Sequence, residues 1–507
     1  MRFIITLFFG ITTIYGCHIK NHPVKYPNII LIYLDDLGYG DVSAYDAGNL
    51  NTPNIDKLAN NGIRFTDGYA ASATCTPSRY ALLMGRYPWR NKNARILNGT
   101  AAMLIDTGQM TLPKMLQNVG YKTGIVGKWH LGLGNGLINW NLPIYPGPND
   151  VGFDYSFIMA ATQDRVPTVY IENGCVNGLD KRDPIEVNYD KNFLDEPTGL
   201  KNPELLKMQF HHGHNQSIVN GISRIGFMKG GKAALWRDED MADVFLKKAQ
   251  FYIKKNMDNP FFLYYAMQQP HVPRTPHWRF VNKSELGPRG DVILEADWCI
   301  GELISTLEDV KILENTLIIL TSDNGPVLND GYFDNSEDHD HNPMGPFRGG
   351  KYSLFQAGTR VPFISYWKDK INPAISNAVI SQIDLLSSLA KLVDSDVRGE
   401  DSEDFMNVLL GKSHKGRNKL ILEATSRTAY RENDWVMIPP YPGDSINNLV
   451  KIELGNSNNY QLYNLKNDPG EKINLGDSQK QKLENMVKSF HEIRGIETGV
   501  IHALDLK

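Results

Sequence analysis

The feature of this 507-residue chain that most constrains its fold is an uninterrupted apolar segment that ends in two carboxylates. Residues Pro27 to Asp36 read PNIILIYLDD, and no charged residue interrupts the run before Asp35. A strand with one face in water alternates polar and apolar side chains, whereas a continuous apolar run is typical of a strand buried on both faces of a parallel sheet. Because helices must cover both faces of such a sheet, this segment predicts an α/β fold.

Helix and strand signals alternate through most of the chain, as an α/β fold requires. Pro53 and Pro113 stand where helices open, and Gly62 and Gly120 stand where they close. The other predicted elements are strands over 123–126, 261–267, 316–321 and 361–367, a long helix over 291–313 and a helical run over 383–392. The alternation predicts a large, mostly parallel sheet between helices, with the active site at the carboxyl ends of the strands.

The chain changes character near residue 395. Residues 394–404 are acidic and typical of a linker, and short strand-like pieces joined by turns follow them. A final helix is predicted over 479–493. We therefore predict a large α/β domain over 25–395 and a smaller α+β domain over 400–507 that contains an antiparallel sheet.

The N-terminus has the pattern of an export signal. Arg2 precedes an apolar run from Phe3 to Tyr15, which is too short to span a bilayer as a permanent helix. Ile14 to Cys17 resembles a bacterial lipoprotein box, in which Cys17 is lipidated; a plainly secreted protein is the alternative. We predict a signal peptide over 1–17 and a periplasmic or cell-surface lipoprotein of a bacterium, which contacts a membrane only through this lipid.

The charge balance argues against nucleic acid as a partner. The chain has 53 Lys and Arg residues against 57 Asp and Glu residues, a formal net charge of -4. A protein dedicated to nucleic acid presents a basic surface. An anionic ligand would therefore be held by a positive field that is confined to a cleft.

Cys75-Thr76-Pro77-Ser78-Arg79 marks a candidate anion site. Pro77 suits the first turn of a helix, so Cys75 is expected just before a helix N-terminus, where unpaired N–H groups favour an anion. Arg79, about one turn further, would add a fork of donors to the same oxyanion. On these residues alone, a capped helix with a buried cysteine is the alternative.

Two acidic clusters follow buried strands. Asp35-Asp36 ends the first strand, and Asp323-Asn324 follows the strand that begins at Thr316. Oxygen ligands of this kind suit a hard divalent cation such as Ca²⁺ or Mg²⁺. Each cluster alone is also compatible with a turn or a helix cap, but two at the ends of buried strands predict a metal site.

Four basic residues are predicted at the same edge of the sheet. Lys128 and His130 follow one strand, His271 follows another, and Lys351 lies further along the chain. A lone histidine after a strand is more often a structural hydrogen-bonding residue. Beside a helix N-terminus and a cation, the four side chains together predict a pocket for a doubly charged tetrahedral oxyanion.

At these residues the sequence resembles the type I, arylsulfatase-type sulfatases of the alkaline phosphatase superfamily, over about Asn28 to Leu475. The segment CTPSR from Cys75 matches the signature in which the cysteine is oxidised to formylglycine, and GKWHLG from Gly127 matches the second signature. The resemblance implies an alkaline phosphatase-like fold and a sulfuric ester hydrolase. It also implies a partner that matures Cys75, a formylglycine-generating or sulfatase-maturing enzyme.

The resemblance further implies a role for each site residue. It assigns one Ca²⁺ to Asp35, Asp36, Cys75, Asp323 and Asn324, with the formylglycine from Cys75 as the nucleophile. It assigns stabilisation of the nucleophile and the sulfate oxygens to Arg79 and Lys128, the spare hydroxyl to His130, and sulfate binding and protonation of the leaving oxygen to His271 and Lys351. One departure is FQAG at 355–358, where the family has an aromatic residue followed by Glu-Gly-Gly.

Export and the resemblance to bacterial carbohydrate sulfatases predict a sulfated polysaccharide or glycosaminoglycan-type sugar as the substrate. Two alternatives remain open: a phosphodiester or phosphonate monoester hydrolase of the same superfamily, and a catalytically silent, envelope-anchored glycan-binding protein. The sugar, the sulfated position, exo or endo action and the oligomeric state are also open. The side chains expected at the substrate rim are those of 162–189, His211, His212, His214, Arg274, Trp278 and Arg348.

Overall fold

The computed structural model describes residues Tyr26 to Gly495, so the predicted signal peptide over 1–17 and Cys17 lie outside the described residues. No helix within this range is both long and apolar enough to cross a membrane. The α-helices of this range are α1 (Pro53–Asn61), α2 (Cys75–Met84), α3 (Leu112–Asn118), α4 (Met241–Asn256), α5 (Gly287–Asp309), α6 (Leu385–Leu392), α7 (Met406–Leu409) and α8 (Lys480–Arg494).

The strands of the first half of the chain are β1 (Asn28–Leu34), β2 (Ile63–Phe65), β3 (Gly68–Tyr69), β4 (Lys122–Lys128), β5 (Tyr155–Met159), β6 (Tyr170–Glu172), β7 (Cys175–Val176), β8 (Glu186–Asn188), β9 (Ile218–Val219), β10 (Ile222–Ser223) and β11 (Phe227–Lys229). Those of the second half are β12 (Phe261–Ala266), β13 (Thr316–Ser322), β14 (Phe363–Tyr366), β15 (Ala374–Ser376), β16 (Ile380–Ser381), β17 (Lys419–Ala424), β18 (Arg427–Glu432), β19 (Trp435–Ile438), β20 (Ile446–Asn447), β21 (Ile452–Glu453) and β22 (Gln461–Asn464).

One large mixed sheet, in the order β15-β2-β14-β13-β1-β12-β4-β5-β6-β7, forms the centre of the molecule. Its middle strands, from β13 through β1, β12 and β4 to β5, are parallel to one another. Antiparallel pairing begins at β14 on one side and at β6 on the other. The predicted apolar strand is β1, and all seven of its residues are buried.

Helices cover both faces of this sheet. α2, α3 and α6 share one hydrophobic cluster with Ile29 and Leu31, and α1, α4 and α5 share another with Ile30 and Ile32. Successive residues of β1 therefore pack on opposite layers, and each buried Ile or Leu contributes roughly 1.5–3 kcal/mol. The predicted α/β fold class is confirmed.

Helix α5 begins and ends earlier than the predicted span of 291–313. It starts at Gly287 because Pro288 occupies the first helical turn, where proline costs no hydrogen bond. It ends at Asp309 because Lys311 adopts a left-handed backbone with φ of 59°, which a helix cannot continue.

A four-stranded antiparallel sheet, in the order β17-β18-β19-β22, follows the α/β part, as predicted. Helix α8 packs on it through Met486 and Phe490. Strand β18 was not predicted because its sequence RTAYRE reads as polar. It is nevertheless almost wholly buried, and the guanidinium of its Arg431 lies 2.8 Å from the carboxylate of Asp67 in the α/β part.

Arg417 just before this sheet forms a buried ion pair with Asp384, and we expect its replacement by Ala to be strongly destabilising. Its guanidinium nitrogens lie 2.8 Å from both carboxylate oxygens, and both side chains are almost fully buried. Removing one partner leaves a buried charge unpaired, which costs about 3–5 kcal/mol. Chemical denaturation of the Arg417→Ala protein should show a lower unfolding midpoint.

The control for this prediction is Arg182→Ala. Arg182 is 90% exposed and pairs with Asp180 at the surface, where water screens the pair. We expect this variant to unfold at the midpoint of the unmodified protein. Equal midpoints for the Arg417→Ala and Arg182→Ala proteins would contradict the assigned importance of the buried pair.

Candidate active site

Four neighbouring parallel strands place polar residues at one edge of the large sheet. In the sheet order, β13, β1, β12 and β4 are adjacent, and Leu34 of β1 lies opposite Ser322 of β13. Asp35-Asp36, Asp323-Asn324 and His271 follow three of these strands. Lys128 is the last residue of the fourth. The predicted acidic and basic residues therefore meet at the carboxyl ends of the strands.

Cys75 is the first residue of α2, with Thr74 as the N-cap, rather than the residue before the helix as predicted. Pro77 occupies the first turn, and Gly85 ends the helix in a left-handed conformation with φ of 57°. All ten residues of α2 are buried, which makes this helix N-terminus part of the interior. Burial raises the pKa of the Cys75 thiol, and the nearby ammonium groups of Lys128 and Lys351 partly offset this.

Arg79 and Lys128 are bound to the acidic residues in a buried network. The Arg79 guanidinium donates to Asp323 Oδ2 from Nε at 3.0 Å and from Nη2 at 2.8 Å. Lys128 Nζ donates to both oxygens of Asp35, at 2.7 and 2.8 Å. Two cations thus oppose two carboxylates with almost no contact with water, where charge-assisted hydrogen bonds are strong.

Asp36 connects the remaining predicted residues. It accepts hydrogen bonds from Asn324 Nδ2 at 2.7 Å and from Lys351 Nζ at 2.8 Å, and its Oδ2 lies 3.8 Å from His271 Nε2. Its backbone N–H donates to Asp323 Oδ1 at 3.2 Å. Residues as many as 315 positions apart in sequence are therefore in contact, because the fold brings their segments to one edge of the sheet.

A metal ion fits the donor set of this cluster. Ligand atoms of Asp35, Asp36 and His271 lie within 4.8 Å of one another, and the buried Oδ1 of Asn324 has no hydrogen-bond partner among the described residues. Carboxylate and amide oxygens are the ligands that Ca²⁺ prefers. His271, which is predicted to bind sulfate, belongs to the same cluster, and its role there stays a prediction.

The hydrogen bonds of the two histidines determine which ring nitrogen carries the proton. His130 Nε2 lies 2.8 Å from the carbonyl of Leu97, and His271 Nδ1 lies 2.7 Å from that of Val272. A carbonyl only accepts, so these nitrogens are the donors. Burial lowers the pKa of both imidazoles well below the usual value. Each ring is therefore neutral, and His130 Nδ1 is a buried acceptor with no partner in the described range.

A cavity of about 650 Å³ opens in front of Cys75. His271 and Lys351 also line it, as does His214, one of the residues expected at the substrate rim. Its other polar lining residues include Asp164, Arg165, Tyr189, Asp330 and Glu423. The volume lies within the range of roughly 300–1,000 Å³ that is usual for small-molecule sites.

Two carboxylates of the cavity wall were missed by the sequence analysis. Asp330 accepts a hydrogen bond from Lys351 Nζ at 3.2 Å, and Glu423 enters the wall from β17 of the C-terminal sheet. Neither stands in a motif, and Asp330 follows β13 in an irregular segment. Only a contact between distant segments identifies them, so no local signal was available.

Three residues expected at the rim lie elsewhere. Arg274 is buried and donates to Asp334 Oδ2 at 2.7 Å, and Arg348 is paired with Glu453 and stacks on the ring of Phe355. Trp278 is 77% exposed beside His277 and does not line the cavity. An arginine in a loop binds whichever carboxylate the fold brings near, and composition alone does not identify that partner.

The segment that departs from the family pattern is held by its own hydrogen bonds. Gln356 accepts from the Tyr69 hydroxyl at 2.6 Å through its side chain, and its backbone N–H donates to the Glu471 carboxylate at 2.7 Å. Burial raises the pKa of Glu471 to about 8. Lys351 keeps its position at the cavity beside this segment.

Comparisons with known proteins identify the family of this chain. The sulfatase family model matches residues 27–395. The chain is 46% identical to an N-acetylgalactosamine-6-O-sulfatase of Bacteroides thetaiotaomicron, over 96% of this chain and 97% of that protein. It is 32% identical to human arylsulfatase A, over 78% of this chain and 70% of that protein.

A solved structure from work on the metabolism of multiple glycosaminoglycans by Bacteroides thetaiotaomicron is also similar to the chain. It superposes with a TM-score of 0.91 at 47% identity, covering 93% of this chain and 99% of that one. The resemblance inferred from the two signatures is thereby confirmed. This chain belongs to the sulfatase family and is a sulfuric ester hydrolase.

Proposed function

We propose that this protein removes the 6-O-sulfate group of N-acetylgalactosamine in a sulfated polysaccharide or glycosaminoglycan fragment. The observation that carries the proposal is the 46% identity to an N-acetylgalactosamine-6-O-sulfatase along almost the whole of both chains. A cavity whose wall includes Arg165, Lys351 and His271 beside Cys75 suits a sulfate ester attached to a sugar.

We assign the nucleophile to position 75, after oxidation of Cys75 to formylglycine by a maturing enzyme. The hydrate of this aldehyde supplies two hydroxyls on one carbon, one to attack sulfur and one whose deprotonation breaks the carbon–oxygen bond and releases sulfate. The N-terminus of α2 lies at this position, so its N–H groups and dipole favour the developing negative charge. A buried site excludes the water that would otherwise compete.

Asp35, Asp36, Asp323 and Asn324 are assigned to one Ca²⁺ ion, with position 75 completing the set. When bound, this ion supplies positive charge to the sulfate oxygens. Arg79 and Lys128 hold the carboxylates in place through the hydrogen bonds described above. Their own charges add to the positive field at the base of the cavity, where low dielectric strengthens it.

The proton transfers are assigned from the tautomers. Because His130 Nε2 donates to Leu97, its free Nδ1 is the acceptor for the proton of the second hydroxyl. Lys351 carries an ammonium group in the cavity wall, so it is the donor for the leaving sugar oxygen. His271 also lines this wall, and its Nε2 must carry a hydrogen to donate to a sulfate oxygen, so we assign it this role in the protonated form that the bound negative charge favours.

Assays with sugars sulfated at defined positions test this proposal. We expect release of sulfate from N-acetylgalactosamine 6-sulfate, little from the 4-sulfate isomer, and at least about 100-fold lower kcat/KM for the matching phosphate ester. The control is the chain produced without a maturing enzyme, which keeps the Cys75 thiol and should release no sulfate.

Three outcomes separate the proposal from its alternatives. Hydrolysis of a phosphodiester or phosphonate monoester at a higher kcat/KM than any sulfate would favour the rival hydrolase. Binding of the sugar without turnover, together with an intact thiol at position 75 in the natural host, would favour a silent glycan-binding protein. Turnover of only a different sulfated position would overturn the regiochemistry.

The proposed location is the periplasm or cell surface, through export and lipidation of Cys17.

A further inference from the structure

Two chain segments lie side by side just outside the cavity. The N–H of His211 donates to the carbonyl of Gly331 at 3.0 Å, and the N–H of Phe333 donates to the carbonyl of Gln209 at 2.9 Å. Residues 209–211 and 331–333 therefore pair as a short antiparallel ladder. We call the surface formed by His211 and Phe333 the aromatic ledge.

The aromatic ledge is continuous with the cavity wall. Gly213 and Asp330, which line the cavity, lie within three residues of His211 and Phe333 along the chain. Between them, Gly331 lies against the imidazole of His214: a Cβ at this glycine would come within 2.0 Å of Nδ1. The close contact places the ladder against a residue that lines the cavity.

The two aromatic pairs of this ladder have opposite surroundings. Phe210 and Tyr332 pair across it and pack in an apolar cluster with Ile222 and Val272, where Tyr332 is buried and Phe210 is half-buried. Neighbouring residues of an extended segment point to opposite faces. Phe333 is therefore 64% exposed, and its ring centroid lies 5.0 Å from that of His211. An exposed aromatic surface beside a sugar cavity is suited to stacking on a sugar ring.

The imidazole of His211 in the ledge and that of the neighbouring His212 have unused hydrogen-bonding capacity. His211 Nδ1 and His212 Nδ1 lie 2.7 Å apart, and both Nε2 atoms are buried without a partner among the described residues. Burial lowers the pKa of both rings, that of His212 to about 4, so both are neutral. One Nδ1 then donates and the other accepts, which leaves one Nε2 as a donor and the other as an acceptor. The pair thus has one unfilled donor and one unfilled acceptor at the residue that contacts Phe333.

We propose that the aromatic ledge is a binding subsite for the sugar that adjoins the sulfated one, so that the enzyme prefers an oligosaccharide to a monosaccharide. This inference rests on the proposed function, because it assumes that a sulfated sugar occupies the cavity. A sugar held with its sulfate at Cys75 has its neighbour outside the cavity mouth. The ledge is the exposed aromatic surface that continues the wall there.

The test compares two substrates on one enzyme. N-acetylgalactosamine 6-sulfate and a trisaccharide with this sugar at its non-reducing end are assayed with the unmodified protein and with Phe333→Ala, Phe333→Tyr and His211→Ala. For Phe333→Ala we expect the ratio of kcat/KM on the trisaccharide to kcat/KM on the monosaccharide to fall about tenfold, mainly through KM, since an aromatic face that packs on a remote sugar contributes to binding rather than to the chemical step. Phe333→Tyr, which keeps an aromatic ring at this position, should show the same ratio as the protein without substitutions. Trp278→Ala removes another exposed aromatic, away from the cavity, and should leave the ratio unchanged.

The outcomes are distinguishable from failure of the proposed function. An unchanged ratio in Phe333→Ala and His211→Ala, with the unmodified protein active, overturns the subsite. A parallel loss on both substrates also overturns it, because it indicates a structural role. If the unmodified protein hydrolyses neither sulfated sugar, the proposed substrate itself is wrong.

Discussion

Replacing Cys75 with Ala is expected to lower kcat/KM on a sulfate ester by at least about 1,000-fold, as the loss of a covalent nucleophile does in other hydrolases. The fold should survive, because the substitution removes one buried atom at the first turn of α2 and costs less than about 1.5 kcal/mol. Sulfate release and the denaturation midpoint, measured on the same preparation, check both parts. Near-normal turnover by this variant would refute the assignment of the nucleophile.

Cys75→Ser extends this prediction to the second step. A serine hydroxyl that attacked sulfur would leave a sulfate ester with no second hydroxyl on the same carbon, so the carbon–oxygen bond could not break to release it. We expect one turnover at most, and a mass increase of one sulfuryl group on the peptide that contains position 75. Sustained turnover by the serine variant would contradict the role of the aldehyde hydrate.

Asp323→Asn is expected to abolish the stabilisation of the protein by Ca²⁺ and to lower kcat by on the order of 100-fold or more. Asp323 is fully buried between the guanidinium of Arg79 and the proposed metal position, and its Oδ1 accepts from the N–H of Asp36. The amide keeps the acceptor for Asp36 but removes the charge and turns its nitrogen toward the Arg79 donors, so this variant should also unfold at a lower temperature in both buffers, and the difference between the buffers is the readout. Thermal unfolding with Ca²⁺ and with a chelator measures the effect.

The difference in Tm expected between Ca²⁺ and chelator follows from the free energy with which the ion binds the folded protein. A ligand that binds only the folded state stabilises it by about 2.7 kcal/mol at 100 times its Kd. The unmodified protein should therefore lose several degrees of Tm in chelator, whereas Asp323→Asn should unfold at one temperature in both buffers. Asp46→Asn is the matched control, because it removes one negative charge at an exposed position with a left-handed backbone. An Asp323→Asn protein that retained the full shift would exclude this residue as a ligand.

Much of the framework was predictable because the signals were local. The apolar run of β1, the paired carboxylates at strand ends and Pro77 within the first turn of α2 each express chemistry within a few residues. Strand adjacency was not local, yet a parallel sheet places all carboxyl ends at one edge, so convergence of Asp36, Asp323 and Lys128 could be expected.

The misses share a different cause. Strand β18 reads as polar because its own sequence contains charged residues. It is buried because partners that neutralise them, such as Asp67 for Arg431, come from segments far away in sequence. Arg274 looks like a rim residue until Asp334 is seen to bind it. In each case, burial was decided by a partner that the segment itself does not contain.

Residue type and order were enough to establish an α/β sheet, its acidic and basic edge and the family signatures around Cys75 and Lys128, since periodicity and helix capping act over one or two turns. Tertiary structure alone decided the proton positions on His130 and His271, the entry of Glu423 into the cavity and the exposure of Phe333. These properties depend on which distant groups share a small volume, and that follows from packing rather than from any local pattern.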